Sequence, residues 1–296
     1  MQALRVFQSL WAMELRIPGE PEPSMRANFE KAAAAGFAGL CIDLGAHEIE
    51  QFREAGPLYK EFGLDCMVNA FPEETGDLLP VIELACEFDA RMVNVIGGVM
   101  PFEVSAAVPV VKQWMEEAAN AGMPLLFETH RDSLLNDLYF TLQLMEAIPE
   151  MRLCADLSHF VIDRELRMPV PARDQDYMHK VLDRADCFQG RVASREQIQV
   201  QIDFPQHQEW VDQFKTWWKE GMRLWRQRNV AGAELVFLCE LGPRPYAMTD
   251  GGQRELSDRW EEALTIKSWV ERMWDDLGAA IDRHPAQESP DNGQQI

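Results

Sequence analysis

Short apolar runs alternate along the chain with longer stretches in which apolar and polar positions are mixed. The runs are rich in Val, Leu, Ile, Phe and Cys, and most are apolar at nearly every position, which is typical of parallel strands buried on both faces. Eight runs occur, at residues 4–10, 38–44, 63–70, 91–97, 124–130, 152–158, 186–192 and 233–241.

The stretches between the runs carry the signals of helix ends. The segment PSMRANFEKAAAAG, residues 23–36, has Pro and Ser at its start and Gly at its end, as expected of a helix. Eight strand–helix units in one chain predict an α/β protein with a single (β/α)8 barrel, a TIM barrel, rather than an open sheet. We place this barrel at residues 1–283 and predict a disordered polar tail at 284–296.

The connection before the eighth run contains an amphipathic segment with three tryptophans, Trp217, Trp218 and Trp225. We expect these large side chains to pack in the core. The alternative is that they form a subunit interface, in which case the protein would be a homo-oligomer.

The charge balance narrows the classes of partner. The chain has 49 Asp and Glu against 28 Lys and Arg, a formal net charge of −21, which disfavours nucleic acids and anionic membranes. No run approaches the roughly 20 apolar residues of a membrane span, and the N-terminal sequence lacks a signal-peptide pattern, so we expect a cytoplasmic protein. The six cysteines have no metal-binding spacing and are expected to be reduced structural thiols.

Oxygen-bearing side chains accompany the last four predicted strands: Glu128 follows the fifth, Asp156 the sixth and Glu240 the eighth, and Gln189 lies in the seventh. In a barrel of this type the carboxyl ends of the strands form the active-site face, so we expect these four side chains to converge. Three carboxylates in a partly dry site repel one another, and a divalent cation is the natural compensation. Oxygen-rich ligation favours Mn²⁺ or Mg²⁺ over a structural zinc ion.

A histidine accompanies the first of these carboxylates. The two-residue period of a strand puts Glu128 and His130 on the same side, so His130 is expected to face the same cavity. A hydrogen-bonded packing residue is the alternative to a functional role.

Four motifs resemble those of the xylose isomerase-like TIM barrels, the sugar phosphate isomerase/epimerase family, which includes the endonuclease IV-type enzymes. They are FETHRD with Glu128, ADLSH with Asp156 and His159, FQGRVASR with Gln189, Arg191 and Arg195, and CELGP with Glu240. The similarity extends over roughly residues 4–280, essentially all eight units.

The resemblance implies roles for these residues. Glu128, Asp156, Gln189 and Glu240 match the metal ligands, and Glu128 and Glu240 also match the residues that exchange protons with the substrate. His159 matches a substrate-binding imidazole, and Arg191 or Arg195 an arginine that holds substrate oxygens. The departure is Gln189, where the family usually has His, so we expect Mn²⁺, with Mg²⁺ or Co²⁺ as alternatives. The small number of His residues and the negative charge disfavour an endonuclease.

These observations support three hypotheses. The first is a divalent-metal-dependent sugar isomerase or epimerase, in which Glu128 and Glu240 move a proton next to a carbonyl through a metal-bound enediolate. The second is a lyase or hydratase that uses His130 as the base to eliminate the C1 substituent of a 3-keto-glycoside. The third is a non-catalytic barrel subunit. The sequence does not identify the substrate beyond a sugar or sugar-like small molecule.

Overall fold

The computed structural model describes residues 1–45 and 47–283. Eight parallel strands close into a barrel in chain order, with β1 paired to both β2 and β8. Each of the eight apolar runs overlaps one strand, and the predicted (β/α)8 barrel is confirmed. The strands are β1 (Ala3–Ser9), β2 (Gly39–Gly45), β3 (Asp65–Phe71), β4 (Val93–Val95), β5 (Leu125–Glu128), β6 (Leu153–Ala155), β7 (Ala185–Gln189) and β8 (Glu234–Cys239).

Helices connect the strands and cover the outside of the barrel. The predicted first helix begins after Ser24, whose side chain accepts a hydrogen bond from the backbone N–H of Ala27. The α-helices in the described part of the chain are α1 (Met25–Ala34), α2 (Ile49–Phe52), α3 (Ala55–Phe62), α4 (Leu78–Glu87), α5 (Val104–Ala121), α6 (Leu138–Ala147), α7 (Leu157–Asp163), α8 (Ala172–Arg184), α9 (Gln208–Arg228) and α10 (Arg259–Arg283).

The inside of the barrel has an apolar level below a polar level. The apolar level, here called the barrel floor, consists of Phe7, Cys41, Met67, Met92, Leu126, Cys154, Cys187 and Leu238, packed with Val236. Two positions further along the chain, each strand or strand end carries a polar residue, and these form the polar ring: Ser9, Asp43, Asn69, Asn94, Glu128, Asp156, Gln189 and Glu240. Because residues two apart on a strand point to the same face, the polar ring lies directly above the floor.

The large aromatic side chains of α9 belong to the core. Trp217, Trp218 and Trp225 are all buried, which agrees with the packing role expected for them. All six cysteines are free, and only Cys86 is exposed. The tail at 284–296 lies outside the described residues. Among the residues searched, no helix combines the length and apolar character needed to cross a membrane.

Candidate active site

The last four strands deliver their polar side chains to one place at the carboxyl end of the barrel. Glu128 ends β5 and Gln189 ends β7, while Asp156 and Glu240 directly follow β6 and β8. Asp156 caps α7, because its Oδ1 accepts hydrogen bonds from the backbone N–H and the hydroxyl of Ser158. This cap fixes one carboxylate oxygen of Asp156 and leaves the other turned into the barrel.

Three of the carboxylates are close enough to share a cation. Oxygens of Glu128, Asp156 and Glu240 all lie within 4.8 Å of one another, and the three side chains are buried. Two oxygens that bind one small divalent ion at about 2.1 Å lie at most about 4.2 Å apart, so only a small contraction is needed. Oδ2 of Asp156 and Oε2 of Glu240 are buried without a hydrogen-bond partner. Buried acceptors without donors fit a cation site.

Gln189 completes this group in an unusual way. Its Nε2 donates to Oε2 of Glu128 at 2.7 Å, while its own Oε1 is buried without a hydrogen-bond partner. The amide therefore orients one carboxylate with its nitrogen and presents a free oxygen with its other atom. A carbonyl oxygen is a suitable ligand for Mn²⁺ or Mg²⁺.

Glu128 is held by two amides at the same oxygen. Nδ2 of Asn94 donates to Oε2 of Glu128 at 2.5 Å, alongside the bond from Gln189. No described residue donates a hydrogen bond to Oε1. The two donors therefore keep Oε2 an acceptor, and Oε1 is the oxygen left to take up a proton or a cation.

A hydrogen-bonded ladder extends from Asn94 across the neighbouring strands. Nδ2 of Asn94 also donates to Oδ1 of Asn69 at 2.9 Å, and Nδ2 of Asn69 donates to Oδ1 of Asp43 at 3.0 Å. The sheet register pairs Asp43 with Asn69 and Asn69 with Asn94, so these polar-ring side chains are direct neighbours. The ladder joins a carboxyl group on β2 to the candidate ligand on β5.

Arg191 supplies a positive charge among the carboxylates. Its Nη2 lies 3.4 Å from Oδ2 of Asp156 and 3.5 Å from Oε2 of Glu240, and its Nε donates to the backbone carbonyl of Glu240 at 3.1 Å. The nearby carboxylates raise the pKa of Arg191 despite its burial. Three carboxylates, one guanidinium and one divalent cation sum to zero charge, which suits a dry site.

Burial changes the proton affinity of the carboxylates when no cation is bound. Burial raises the pKa of Glu128 well above its usual value, and the charges of Glu240 and Asp156 add to this effect. Burial raises the pKa of Glu240 to about 8, against the opposing influence of Arg191. A carboxyl group with a pKa near that of Glu240 exchanges protons close to neutral pH and is suited to acid–base catalysis.

The rings of His130 and His159 are in contact, with centroids 3.9 Å apart and planes tilted by 42°. Nδ1 of His159 accepts a hydrogen bond from the backbone N–H of Arg131 at 3.3 Å, so the neutral ring carries its proton on Nε2, which faces Oδ2 of Asp156 at 3.5 Å. Burial lowers the pKa of His159 well below its usual value and that of His130 to about 4. Both imidazoles are therefore neutral at pH 7.

This tautomer of His159 disfavours a second group of possible metal ligands. Glu128, His130 and His159 also place ligand atoms within 4.8 Å of one another. However, Nδ1 of His159 is engaged by Arg131 and Nε2 holds the proton, so neither ring nitrogen offers a free lone pair. We therefore favour the carboxylate group as the cation site.

A cavity of about 290 Å³ opens above these residues. Its lining combines ionisable groups with aromatic and aliphatic walls: Trp11, Asp43, Phe71, Ile96, Glu128, His130, Arg191, Glu240 and Tyr246. Trp11 and Tyr246 meet edge to face, and the guanidinium of Arg191 lies 4.9 Å from the centre of the Tyr246 ring. Cavities of roughly 300 Å³ are at the small end of the range for small-molecule sites.

Arg191 and Arg195, the two candidates for the arginine that holds substrate oxygens, lie in different surroundings. Arg191 is buried in the cavity wall, whereas Arg195 is 36% exposed and pairs with Glu165 and Glu196 away from the cavity lining. His159 is fully buried and does not line the cavity, whereas His130 does. The expectation that Glu128 and His130 face one cavity agrees with the lining.

Several site residues were missed from the sequence. Asp43, Asn69 and Asn94 are polar residues inside apolar runs, and the triplet Met-Val-Asn ends at both Asn69 in β3 and Asn94 in β4. An amide at the same place in two neighbouring strands is a signal that could have identified the ladder. Trp11 begins a short 3-10 helix after β1 and Tyr246 lies in the turn after β8, and the sequence pattern gave no signal for either wall.

Comparisons with known proteins address the fold. No family model matches the sequence, and no curated protein matches it. Among solved structures, a xylose isomerase-like TIM barrel protein from Mycobacterium smegmatis in complex with magnesium matches with a TM-score of 0.58 and 14% identity, covering 92% of this chain and 97% of that one. The chain shares the fold of the xylose isomerase-like TIM barrels.

Two further structures of this fold are similar to the chain. D-allulose 3-epimerase from Methylomonas sp., in complex with D-allulose, has a TM-score of 0.61 and 12% identity over 92% of this chain and 97% of that one. The probable 3-DHS dehydratase AsbF from Bacillus anthracis has a TM-score of 0.55 and 13% identity over 89% and 98%. The resemblance drawn from the motifs is confirmed for the fold, on which more than one chemistry occurs.

Proposed function

We propose that the protein is a divalent-metal-dependent isomerase or epimerase of a sugar or sugar-like polyol. The observation that carries this proposal is the convergence of Glu128, Asp156 and Glu240 below a cavity of about 290 Å³. Oδ2 of Asp156 and Oε2 of Glu240 are buried there without a hydrogen-bond partner. The epimerase and the magnesium-bound protein of the same fold support it. Glu128, Asp156, Gln189 and Glu240 would hold the ion, for which Mn²⁺ is our first candidate and Mg²⁺ or Co²⁺ are alternatives.

When bound, the ion would polarise the substrate carbonyl as a Lewis acid. Glu128 ends β5, Glu240 follows β8, and both line the cavity, so they can reach a substrate from two sides. One carboxylate removes the proton next to the carbonyl, and the other delivers a proton to the neighbouring carbon or to the opposite face. The first outcome is isomerisation and the second is epimerisation.

Arg191 and His159 have supporting roles in this proposal. Nη1 of Arg191 is buried without a hydrogen-bond partner, so it can donate to a substrate oxygen in the cavity. His159 acts from behind the cavity wall, where its Nε2–H faces Oδ2 of Asp156 and orients that carboxylate. Arg195 has no part, because its ion pairs lie away from the cavity.

Solvent exchange tests the proposal. Metal-loaded protein is incubated in D₂O with a set of aldoses and ketoses, and the products are followed by NMR. We expect deuterium at the carbon next to the carbonyl together with an isomer or epimer, and loss of both in Glu240→Gln. A protein that holds stoichiometric metal and exchanges no such proton in any of the sugars would contradict the proposal.

A lyase or hydratase is the second candidate, and His130 favours it. This imidazole lines the cavity, its Nδ1 has no hydrogen-bond partner, and burial lowers its pKa to about 4, so it is a free neutral base at pH 7. It could remove the proton next to a ketone while a substituent leaves the adjacent carbon. Release of the aglycone from a 3-keto-glycoside, lost in His130→Asn, would support this candidate against isomerisation.

A further inference from the structure

Asp43 is a charged residue of the cavity that the proposed reaction does not use. It lies in β2, two positions after Cys41 of the barrel floor, and its side chain lines the cavity with Glu128 and Glu240. It is not among the three carboxylates that converge on the candidate cation site. Asp43 lies on β2, across the polar ring from the candidate ligands of β5 to β8, so a role other than cation binding has to account for it.

The ladder holds Asp43 in a defined orientation. Its Oδ1 accepts the hydrogen bond from Asn69, whose own Oδ1 is engaged by Asn94. The acceptor role of Asn69 Oδ1 fixes which end of that amide faces Asp43. No described residue donates a hydrogen bond to Oδ2 of Asp43. The ladder thus presents one carboxyl oxygen with unused acceptor capacity at the cavity wall.

The charges around the cavity disfavour an anionic ligand. Asp43, Glu128 and Glu240 line it, and Arg191 is the only cationic residue in the described lining. The guanidinium of Arg191 is already shared between Asp156 and Glu240. If a divalent cation neutralises the remaining charge of the candidate ligands, Asp43 is left as an additional acid. Burial raises the pKa of Asp43 to about 7, because a low-dielectric site disfavours the charged form.

The other arginines near the site do not offer a phosphate subsite. Arg195 is engaged by Glu165 and Glu196. Nη1 of Arg131 lies 3.2 Å from Nδ1 of His159, and its guanidinium is 5.6 Å from the centre of the Tyr246 ring. Neither belongs to the cavity lining. The aromatic wall of Trp11 and Tyr246 suits the C–H faces of a neutral sugar better than a hydrated phosphate group.

We propose that Asp43 is a specificity-determining residue, whose Oδ2 accepts a hydrogen bond from a ligand hydroxyl, so that the site selects neutral polyols over their phosphate esters. This inference rests on the proposed function and specifies its substrate class. Rejection follows from the same group, because a phosphate at this wall would face Asp43, whose ionised form repels it and offers no hydrogen-bond donor.

Calorimetric titration of metal-loaded protein tests the inference with matched ligands. The probes are D-fructose, D-xylulose and D-ribulose, each compared with its terminal phosphate ester. We expect at least one neutral ketose to bind at least 10-fold more tightly than its ester. In Asp43→Asn the affinity for that ketose should fall about 10-fold, the lower range for a hydrogen bond to a charged group, and the preference over the ester should narrow. Asp212→Asn on the outer helix α9 removes the same charge away from the cavity and should change neither value.

The outcomes separate this inference from the proposed function. Equal or tighter binding of the phosphate esters would overturn the role of Asp43 while leaving a sugar-binding metal site in place. Unchanged binding by a folded Asp43→Asn protein would do the same. Failure of every ketose and ester to bind the metal-loaded protein would instead count against the proposed function. The wild-type comparison stands without the variant, should Asp43→Asn not fold.

Discussion

Nη2 of Arg191 lies 3.4 Å from Oδ2 of Asp156, and neither side chain is more than 2% exposed. The same nitrogen lies 3.5 Å from Oε2 of Glu240, so one guanidinium serves two carboxylates. A buried charge of this kind is tolerated only when its partners remain in place. Arg191 is therefore both a structural group and the donor that faces the cavity.

Replacing Arg191 should be costly in the metal-free protein. In Arg191→Met the carboxylates of Asp156 and Glu240 lose their buried partner, and we expect the free energy of unfolding to fall by about 3–5 kcal/mol. Urea denaturation measures this change. Arg195→Met is the matched control, because the ion pairs of Arg195 are partly exposed and contribute at most about 1 kcal/mol. A similar small change in both variants would show that Arg191 is not needed to hold the carboxylates together.

Metal analysis tests the candidate ligands directly. Purified wild-type protein should retain about one divalent ion after dialysis, whereas Glu128→Gln, Asp156→Asn and Glu240→Gln should each bind it more than roughly 100-fold less tightly, since even outer partners contribute 10–100-fold. Glu165→Gln, which removes a carboxylate outside the cavity, should bind like wild type. A wild-type protein that binds no metal would favour the non-catalytic barrel subunit.

The dependence of stability on pH should report the buried carboxylates of the metal-free protein. Burial raises the pKa of Glu240 to about 8 and that of Asp43 to about 7, above their values in the unfolded chain. The folded protein therefore binds more protons than the unfolded chain between about pH 4.5 and 8, and the free energy of unfolding should fall as the pH rises through this window. We expect a decrease of at least about 1 kcal/mol from pH 6 to pH 8 by urea denaturation.

Added Mn²⁺ should oppose this fall in the free energy of unfolding, because the ion takes the place of the protons on the buried carboxyl groups. Stabilisation by the ion should be larger at pH 8 than at pH 6, and binding should release protons into a weakly buffered solution. Glu240→Gln should flatten the pH dependence of the metal-free protein. A free energy of unfolding that rises between pH 6 and pH 8 would contradict the assigned direction of the pKa changes.

Gln189 offers a test of metal preference. Its free Oε1 suits a hard ion, and an imidazole at this position would add a nitrogen ligand that zinc prefers. We expect Gln189→His to raise the affinity for Zn²⁺ relative to Mn²⁺ by about 10-fold or more, measured by competition with a chromophoric chelator. Gln199→His, at a buried glutamine whose Oε1 is bonded to the backbone of Gly242, is the control and should leave the ratio unchanged.

The sequence by itself determined the barrel and the carboxylates at its mouth. Strands buried on both faces must be apolar along their length, so each of the eight runs was visible without knowledge of its neighbours. Glu128, Asp156 and Glu240 each end such a run, and the geometry of parallel strands is enough to expect them at one edge. The motifs around them also indicated the fold that the solved structures confirm.

Only the tertiary structure decided how these groups are held and balanced. Arg191 and Arg195 are four residues apart in one loop, and the side that each faces depends on where the loop meets Asp156 and Glu165. The ladder from Asp43 to Glu128 depends on the register of four strands, and hydrogen bonds between strands leave no periodic trace in any one of them. Local pattern determines which face a residue occupies, whereas closure of the barrel determines its partners.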